Sequence, residues 1–282
     1  MGHRIVIIAG PTASGKSAHA LGVAQSRGGV IINADSQQMF RDVPILTARP
    51  TAEEEALVPH RLYGILEAHE QPSVGKWLRF AKMEIDWTLS EGLLPIIVGG
   101  TGMYIKALIR GIAEIPDIDP LVRQQAANDY EAMGQDAFSE RLKLVDPQFF
   151  ERLKVVDRQR LLRAYEVWLG TGRPLSFWQQ QKTGALYPDS EYEVIKVELP
   201  REELYARCDA RFEKMVEQGA VQQLEAILPS LAADSPLRKV IGVSELAEAI
   251  EGRQSIDQSV KQAQQATRNY AKRQLTWLRH QL

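Results

Sequence analysis

Residues 5–17 read Ile5-Val6-Ile7-Ile8-Ala9-Gly10-Pro11-Thr12-Ala13-Ser14-Gly15-Lys16-Ser17. Their reading decides the fold. The apolar run over residues 5–9 has the character of a parallel strand buried on both faces. The Ala- and Leu-bearing stretch from Ala18 to Gln25 has the character of a helix. Between them stands G-x-x-x-x-G-K-[ST], the pattern of a phosphate loop, in the strand–loop–helix setting such a loop requires. Glycine lets the backbone curl so that successive N–H groups converge on an anion. The start of the helix adds partial positive charge. Lys16 supplies a mobile cation for a terminal phosphate, and the Ser17 hydroxyl can ligate Mg²⁺. Gly10, Pro11, Thr12, Ala13, Ser14, Gly15, Lys16 and Ser17 therefore form a grip for phosphate or diphosphate. They do not say which molecule carries it.

Outward from this loop, strands and helices alternate. A second strand is expected over Gly29 to Asp35 and a third over Leu93 to Val98, running into Gly99-Gly100-Thr101-Gly102-Met103-Tyr104. A polar loop with Pro44, Pro50 and Pro59 and a helix over Gly75 to Ser90 lie between them. This alternation implies a parallel sheet with helices on both faces, and ligands of such sheets gather at the carboxyl ends of the strands. Three candidate segments fall there: the phosphate loop, Asp35-Ser36-Gln37-Gln38, and the glycine-rich turn at 99–102.

After Ile115-Pro116-Asp117-Ile118-Asp119-Pro120 the pattern becomes helical, over Leu121 to Met133, Gln135 to Val145, Pro147 to Leu153 and Asp157 to Leu169. A further strand is expected over Glu193 to Leu199, followed by helices at Arg201–Gly219, Val221–Leu228, Ser244–Ile250 and from Ile256 onward. The expected fold is α/β: a P-loop NTPase-like parallel sheet core flanked by helices, with an inserted all-helical domain. The expected boundaries are 1–114 with 190–282 for the core and 115–189 for the insertion.

The chain has 282 residues, 44% hydrophobic and 25% charged, which suits a soluble protein of two structural units. A net charge of -2 means that any nucleic-acid surface must be local. A single cysteine, Cys208, excludes an internal disulfide and a cysteine-based zinc finger, and the five histidines show no metal-ligand spacing. No apolar run reaches the length of a membrane helix. The first strand starts too close to Met1 for a signal peptide, so the expected setting is a reducing cytoplasm.

Asp35, at the end of a buried strand beside the loop, could act as a general base, help hold Mg²⁺ indirectly, or merely cap a turn. Ser36 and Gln38 add donors and acceptors beside it. The glycines at 99–102 could let a ligand approach the backbone, and the Thr101 hydroxyl could donate to a leaving or bridging oxygen. The third strand carries no acid, unlike a Walker B strand, which argues against an ordinary ATPase. Arg160 and Arg163 share a helix face and could follow a phosphate backbone, or be a solvated face paired with Asp157 and Glu166. From Arg253 to Leu282 there are six Lys or Arg against one acid, with Tyr270 and Trp277 interleaved. That tail could be an RNA surface, or an amphipathic helix burying Tyr270, Leu275, Trp277 and Leu278.

These segments together resemble the bacterial tRNA dimethylallyltransferase (tRNA isopentenyltransferase) family. The blocks that carry the resemblance are GPTASGKS at 10–17, DSQQMFR at 35–41, TARPT at 47–51, VPH at 58–60 and PIIVGGTGMY at 95–104. They continue with DRQRLLRAYEV at 157–167, TGRPLS at 171–176, DARFEKM at 209–215 and ATRNYAKRQLTW at 266–277. The resemblance implies transfer of the prenyl group of dimethylallyl diphosphate to the exocyclic amine of the adenine just 3′ of the anticodon, in tRNAs that read codons starting with U. Mg²⁺ is the implied cofactor, no ATP is needed, and the working form is a monomer. The resemblance makes Asp35 the general base and places Thr101 at the oxygen bridging prenyl carbon and diphosphate. Lys16 and Arg211 neutralise the departing diphosphate. Contacts to the tRNA anticodon stem-loop fall to Asp35, Ser36, Gln37, Gln38, Thr101, Arg123, Gln159, Arg160, Leu161, Leu162 and Arg163. The chain departs from the family's usual residues at Phe40, Tyr165 and Val243, departures that bear on tRNA contact. A small-molecule kinase, an adenylate prenyltransferase and a non-enzymatic RNA-binding regulator are the competing readings.

Overall fold

Three sequence blocks are brought to one end of a single parallel sheet by its strand order. The structure, a computed structural model, describes residues 3–153, 155–181 and 183–282. The chain divides into two compact units, residues 1–109 with 187–282, and residues 110–186.

In the first unit, β1 (Arg4–Ala9) is buried from Ile5 onward. It leads through the 10–15 loop into α1 (Lys16–Arg27), which ends at Gly28 in the left-handed conformation with its N–H on the Ala24 carbonyl. β2 (Gly29–Asn33) is buried throughout. It stops two residues before the expected Asp35 for a local reason. The Asn33 side chain accepts the Asp35 N–H at 2.8 Å and donates to the Asp35 carbonyl at 3.0 Å. This side chain-to-backbone turn replaces the ladder.

The proline-bearing loop contains two elements the sequence reading did not resolve. These are α2 (Ala52–Leu57), closed by a capping box between Thr51 and Glu54, and the two-residue β3 (His60–Arg61). Both are too short to show a periodicity. α3 (Val74–Ser90) starts at the Ser73 cap, β4 is Leu94–Gly99, and α4 is Gly102–Arg110. All sheet pairings are parallel and the order is β3-β2-β4-β1, with a later strand outside β1. Ala9 lies opposite Gly99, and Asn33 opposite Val98. The loop after β1, the turn after β2 and the turn after β4 therefore start level with one another.

The second unit contains α5 (Pro120–Val145), α6 (Pro147–Arg152), α7 (Arg158–Thr171) and α8 (Leu175–Gln180). Gly134 interrupts α5 with φ 72°, ψ 164°, which is why two helices were expected there. α8 lies inside the stretch expected to be helical to about Gln181, without being delimited there as a helix of its own. Phe138, Leu142, Leu161, Ala164 and Tyr165 form the unit's core. Asp146, 1% exposed, accepts the Phe149 N–H at 3.1 Å and the Ser176 N–H at 2.9 Å. One carboxylate thus caps two helices. Asp146→Ala is expected to cost about 2–4 kcal/mol, the loss of two buried charge-assisted hydrogen bonds. A denaturant titration of the full chain checks this; a loss below about 0.5 kcal/mol would refute the double cap.

The chain returns to the first unit with β5 (Glu191–Lys196), which pairs with β1 two residues earlier than expected. Helices α9 (Arg201–Glu217), α10 (Ala220–Ile227), α11 (Val243–Ile250) and α12 (Ile256–Gln281) follow. Buried Leu204 and Cys208 of α9 pack with Ala271 and Leu275 of α12.

Candidate active site

The 10–17 loop carries its strain at Ala13, which holds φ 64° without being glycine, and turns into α1 through Gly15 at φ 88°. Pro11 accepts both the Ser14 N–H at 3.2 Å and the Lys16 ammonium at 3.3 Å. Ser14 Oγ is buried with no hydrogen-bond partner. Lys16 itself is buried. Burial, reinforced by the Arg211 guanidinium, lowers its pKa to about 8; the charges of Asp35 and Cys208 offset only part of this. Arg211, on α9, donates to the Thr12 hydroxyl, and burial holds its guanidinium below its ordinary value. Arg207, one turn earlier, stands over the loop's mouth and is ion-paired with Glu203 at 2.8 Å.

Opposite the loop is Asp35, 7% exposed. One of its carboxylate oxygens accepts the Gln37 N–H at 3.0 Å, and its backbone is fixed by Asn33. Asn33 also donates to the Leu62 carbonyl at 3.0 Å, while its own carbonyl accepts from the Trp77 indole at 2.7 Å. The carboxylate thus sits on a rigid support. Thr101 Oγ accepts the Ser36 N–H at 3.0 Å and donates to Ser36 Oγ at 3.3 Å. The Tyr270 side chain lines the same cavity, and burial followed by the nearby Asp35 charge raises its pKa. Gln38 spends its amide N–H groups on the Thr47 and Ala48 carbonyls, at 3.0 and 2.7 Å, holding that strained loop in place.

A cavity of about 340 Å³ has Thr12, Lys16, Asp35, Arg211 and Tyr270 on its polar wall, while Thr101 and Ser36 are not among its lining residues. Leu46, Phe212 and Ile241 supply apolar wall. Every lining residue belongs to the first unit.

Several expectations need correction. The glycines at 99–102 do not clear space for a ligand. A Cβ on Gly99 would strike the Ala34 backbone at 2.2 Å, one on Gly100 would meet Gln274 Nε2 at 2.1 Å, and one on Gly102 would meet the Trp277 ring at 2.2 Å. The turn is stripped of side chains so that β2 and α12 can press on it. Tyr270 is not a core residue but lines the cavity. Leu161 is fully buried in the helical unit and Leu162 packs on the same core, so Leu161 offers no side chain to RNA. Arg160 and Arg163 are paired with Asp157 and Glu166, at 3.2 and 2.7 Å. Arg123 and Gln159 are exposed. Phe40, Tyr165 and Val243 are all buried, so their departures concern packing rather than a contact surface. In the basic tail, Arg253 and Arg268 are held by Glu248 and Asp209.

Sequence reading missed Asn33, the place of Tyr270 in the cavity wall, and Gln274. The 270/274 spacing on one helix face was the available signal.

A strand–loop–helix anion nest after β1, facing a carboxylate after β2 with β4 between the two strands, defines a phosphate-loop α/β protein with an anion site opposite an acid. The family model described as IPP transferase matches residues 38–281, and one described as isopentenyl transferase matches residues 3–67. The tRNA dimethylallyltransferase of Phenylobacterium zucineum is 45% identical over 280 residues, covering 99% of this chain and 90% of its own. That of Zymomonas mobilis is 43% identical over 280 residues, covering 99% and 88%. The crystal structure of tRNA delta(2)-isopentenylpyrophosphate transferase from Staphylococcus epidermidis superposes with a TM-score of 0.70 at 31% identity, covering 99% of this chain and 91% of that one. A eukaryotic dimethylallyltransferase acting on tRNA shares the fold, with a TM-score of 0.81 at 24% identity over 98% and 70%. The chain belongs to the IPP transferase family and is a prenyltransferase.

Proposed function

We propose that this protein transfers the dimethylallyl group from dimethylallyl diphosphate to N6 of the adenine 3′-adjacent to the anticodon, in tRNAs that read codons starting with U. The observation that carries this reading is the shared cavity of Lys16, Arg211 and Thr12 on one side and Asp35 on the other. Its apolar stretch at Leu46, Phe212 and Ile241 suits a five-carbon group. In the reaction the bond between the prenyl C1 and the bridging oxygen breaks, and diphosphate leaves with the electron pair. The adenine N6 forms the new bond to C1, and its proton passes to the Asp35 carboxylate. Lys16, Arg211 and the loop N–H groups stabilise the charge that grows on diphosphate. Thr101 donates to the bridging oxygen; with the Ser36 N–H holding its oxygen, that proton is re-aimed from Ser36 Oγ by a rotation. The target base must leave its stack to enter the cavity.

Mg²⁺ fits this donor set only together with the diphosphate. Among the described residues no three His, Cys, Asp or Glu cluster to hold a resident ion, whereas Ser17 offers a hydroxyl beside the nest. Bound there with diphosphate oxygens, it would neutralise leaving-group charge. Ser36, Gln37, Arg123, Gln159, Arg160 and Arg163 are proposed tRNA contacts. Arg160 and Arg163 would exchange their acidic partners for phosphates. We place the enzyme in the cytoplasm as a monomer; among the described residues no helix is long and apolar enough to cross a membrane.

The deciding experiment combines the protein, Mg²⁺ and dimethylallyl diphosphate with an unmodified anticodon stem-loop, with AMP in a parallel arm and ATP in another. Prenylated adenosine in the stem-loop, found by mass spectrometry, is the expected product. Product on AMP alone would make it an adenylate prenyltransferase, and ATP consumption would make it a kinase.

A further inference from the structure

One buried side chain joins the two turns on which the proposed reaction depends. Gln274, on α12, is 5% exposed. Its Oε1 accepts the Thr12 N–H at 2.8 Å, and its Nε2 donates to the Gly100 carbonyl at 3.0 Å. Thr12 belongs to the phosphate loop, and Gly100 directly precedes Thr101. One amide thus ties the leaving-group side of the cavity to the hydroxyl side.

Three features make this more than a packing contact. The bonds are polar and buried, so breaking them leaves a backbone N–H and a backbone C=O unsatisfied on opposite sides of the site. The matching is directional: one end must accept and the other must donate, as a primary amide does. The surroundings are also shaped for it, because a Cβ at Gly100 would overlap Gln274 Nε2 at 2.1 Å. Four residues earlier on the same helix, Tyr270 lines the cavity. α12 therefore fixes the turn before Thr101 through the Gly100 carbonyl and supplies a wall of the cavity one turn earlier.

We infer that Gln274 is a positioning residue that sets the distance between the phosphate loop and Thr101, and hence the alignment of diphosphate with the hydroxyl that assists its departure. Its direct neighbours are backbone groups, and it touches no reacting atom. The inference rests on the prenyl-transfer reading, but part of its test does not.

The informative substitution is Gln274→Glu. A carboxylate keeps the acceptor for Thr12 N–H but turns a lone pair toward the Gly100 carbonyl and adds negative charge beside the nest. A protonated carboxyl restores one acceptor and one donor. Turnover and the affinity for inorganic diphosphate, each taken as a ratio to wild type at the same pH, are measured from pH 5 to 8.5, with Gln274→Met as the uncharged control. At pH 8 the Glu variant is expected to show kcat lowered about 10- to 100-fold, the cost of a misplacement near the chemistry, with the stem-loop KM within about threefold. Both ratios should climb back toward one as pH falls. The Met variant should lose kcat similarly with no recovery at low pH.

Gly100→Ala displaces the same amide from the other side and should reproduce the loss even if the Gln274 variants fold poorly. Full activity in Gly100→Ala, or in both Gln274 variants, overturns the inference. So does a loss in the Glu variant whose ratios do not change with pH. Absence of turnover in the wild type would strike the prenyl-transfer reading, while the diphosphate titration would still report on Gln274.

Discussion

Asp35→Ala is expected to lower turnover by about 10²- to 10⁴-fold, the span typical for loss of a general base, while affinity for the anticodon stem-loop stays within about threefold. The reason is local. The carboxylate is carried on a turn that Asn33 and Trp77 fix through bonds that do not involve it, and only the Gln37 N–H bonds the carboxylate itself. Removing it deletes one function without releasing the support. Asp35→Asn isolates the effect further, since the amide keeps an acceptor for the Gln37 N–H but takes up no proton. Single-turnover kinetics with saturating stem-loop, alongside a filter-binding isotherm, separate the two quantities. A variant that retains near-wild-type kcat would remove Asp35 from the chemistry.

Lys16→Met is the second large effect: a fall in kcat/KM of about 10³-fold, the scale of losing one preorganised group opposite a developing anion. Its pH behaviour is distinctive. Burial is the main reason that Lys16 titrates near 8, well below the ordinary lysine value of 10.5. In the ligand-free protein the ammonium is therefore lost as pH rises through about 8. Diphosphate requires the charged form, so its affinity should decline above that pH, and binding between about 8 and 10.5 should take up a proton. Calorimetry in buffers of different ionisation enthalpy measures that uptake.

The sign for folding is opposite. The unfolded lysine holds its proton up to about 10.5 and the folded one only to about 8. Below pH 8 the buried charge is a cost, and stability of the free protein should rise as pH climbs from about 8 to 10.5. Lys16→Met should accordingly stabilise the ligand-free protein at neutral pH, by on the order of 1–3 kcal/mol, while disabling it. A variant that is both inactive and less stable would contradict this reading of Lys16.

Much of the core was legible because its signals are local. Ile5 to Ser17 carries strand, loop and helix start in consecutive residues, and Gly134 marks the break in α5 that a reading of two helices anticipates. The rule that ligands gather at the carboxyl ends of parallel strands places the three segments at one end of the sheet. The parts that escaped depend on contacts between distant residues. Nothing near Gly100 signals that Gln274 fills the space its missing Cβ leaves, so a turn shaped by packing looked like a turn opened for a ligand. Leu161 sat in a block that resembles an RNA-contacting segment, and only the helix phase shows that it points into its own core. α2 and β3 were too short to impose a period on the sequence.

Gln274 binds a carbonyl that lies 174 positions before it and an amide 262 positions before it. A ribosome delivers the phosphate loop, the carboxylate and the threonine within residues 10–101, yet the strut that spaces them emerges about 170 residues later. A growing chain would therefore carry the loop, the acid and the threonine long before it could use them, and competence would wait for the helix that bears Gln274.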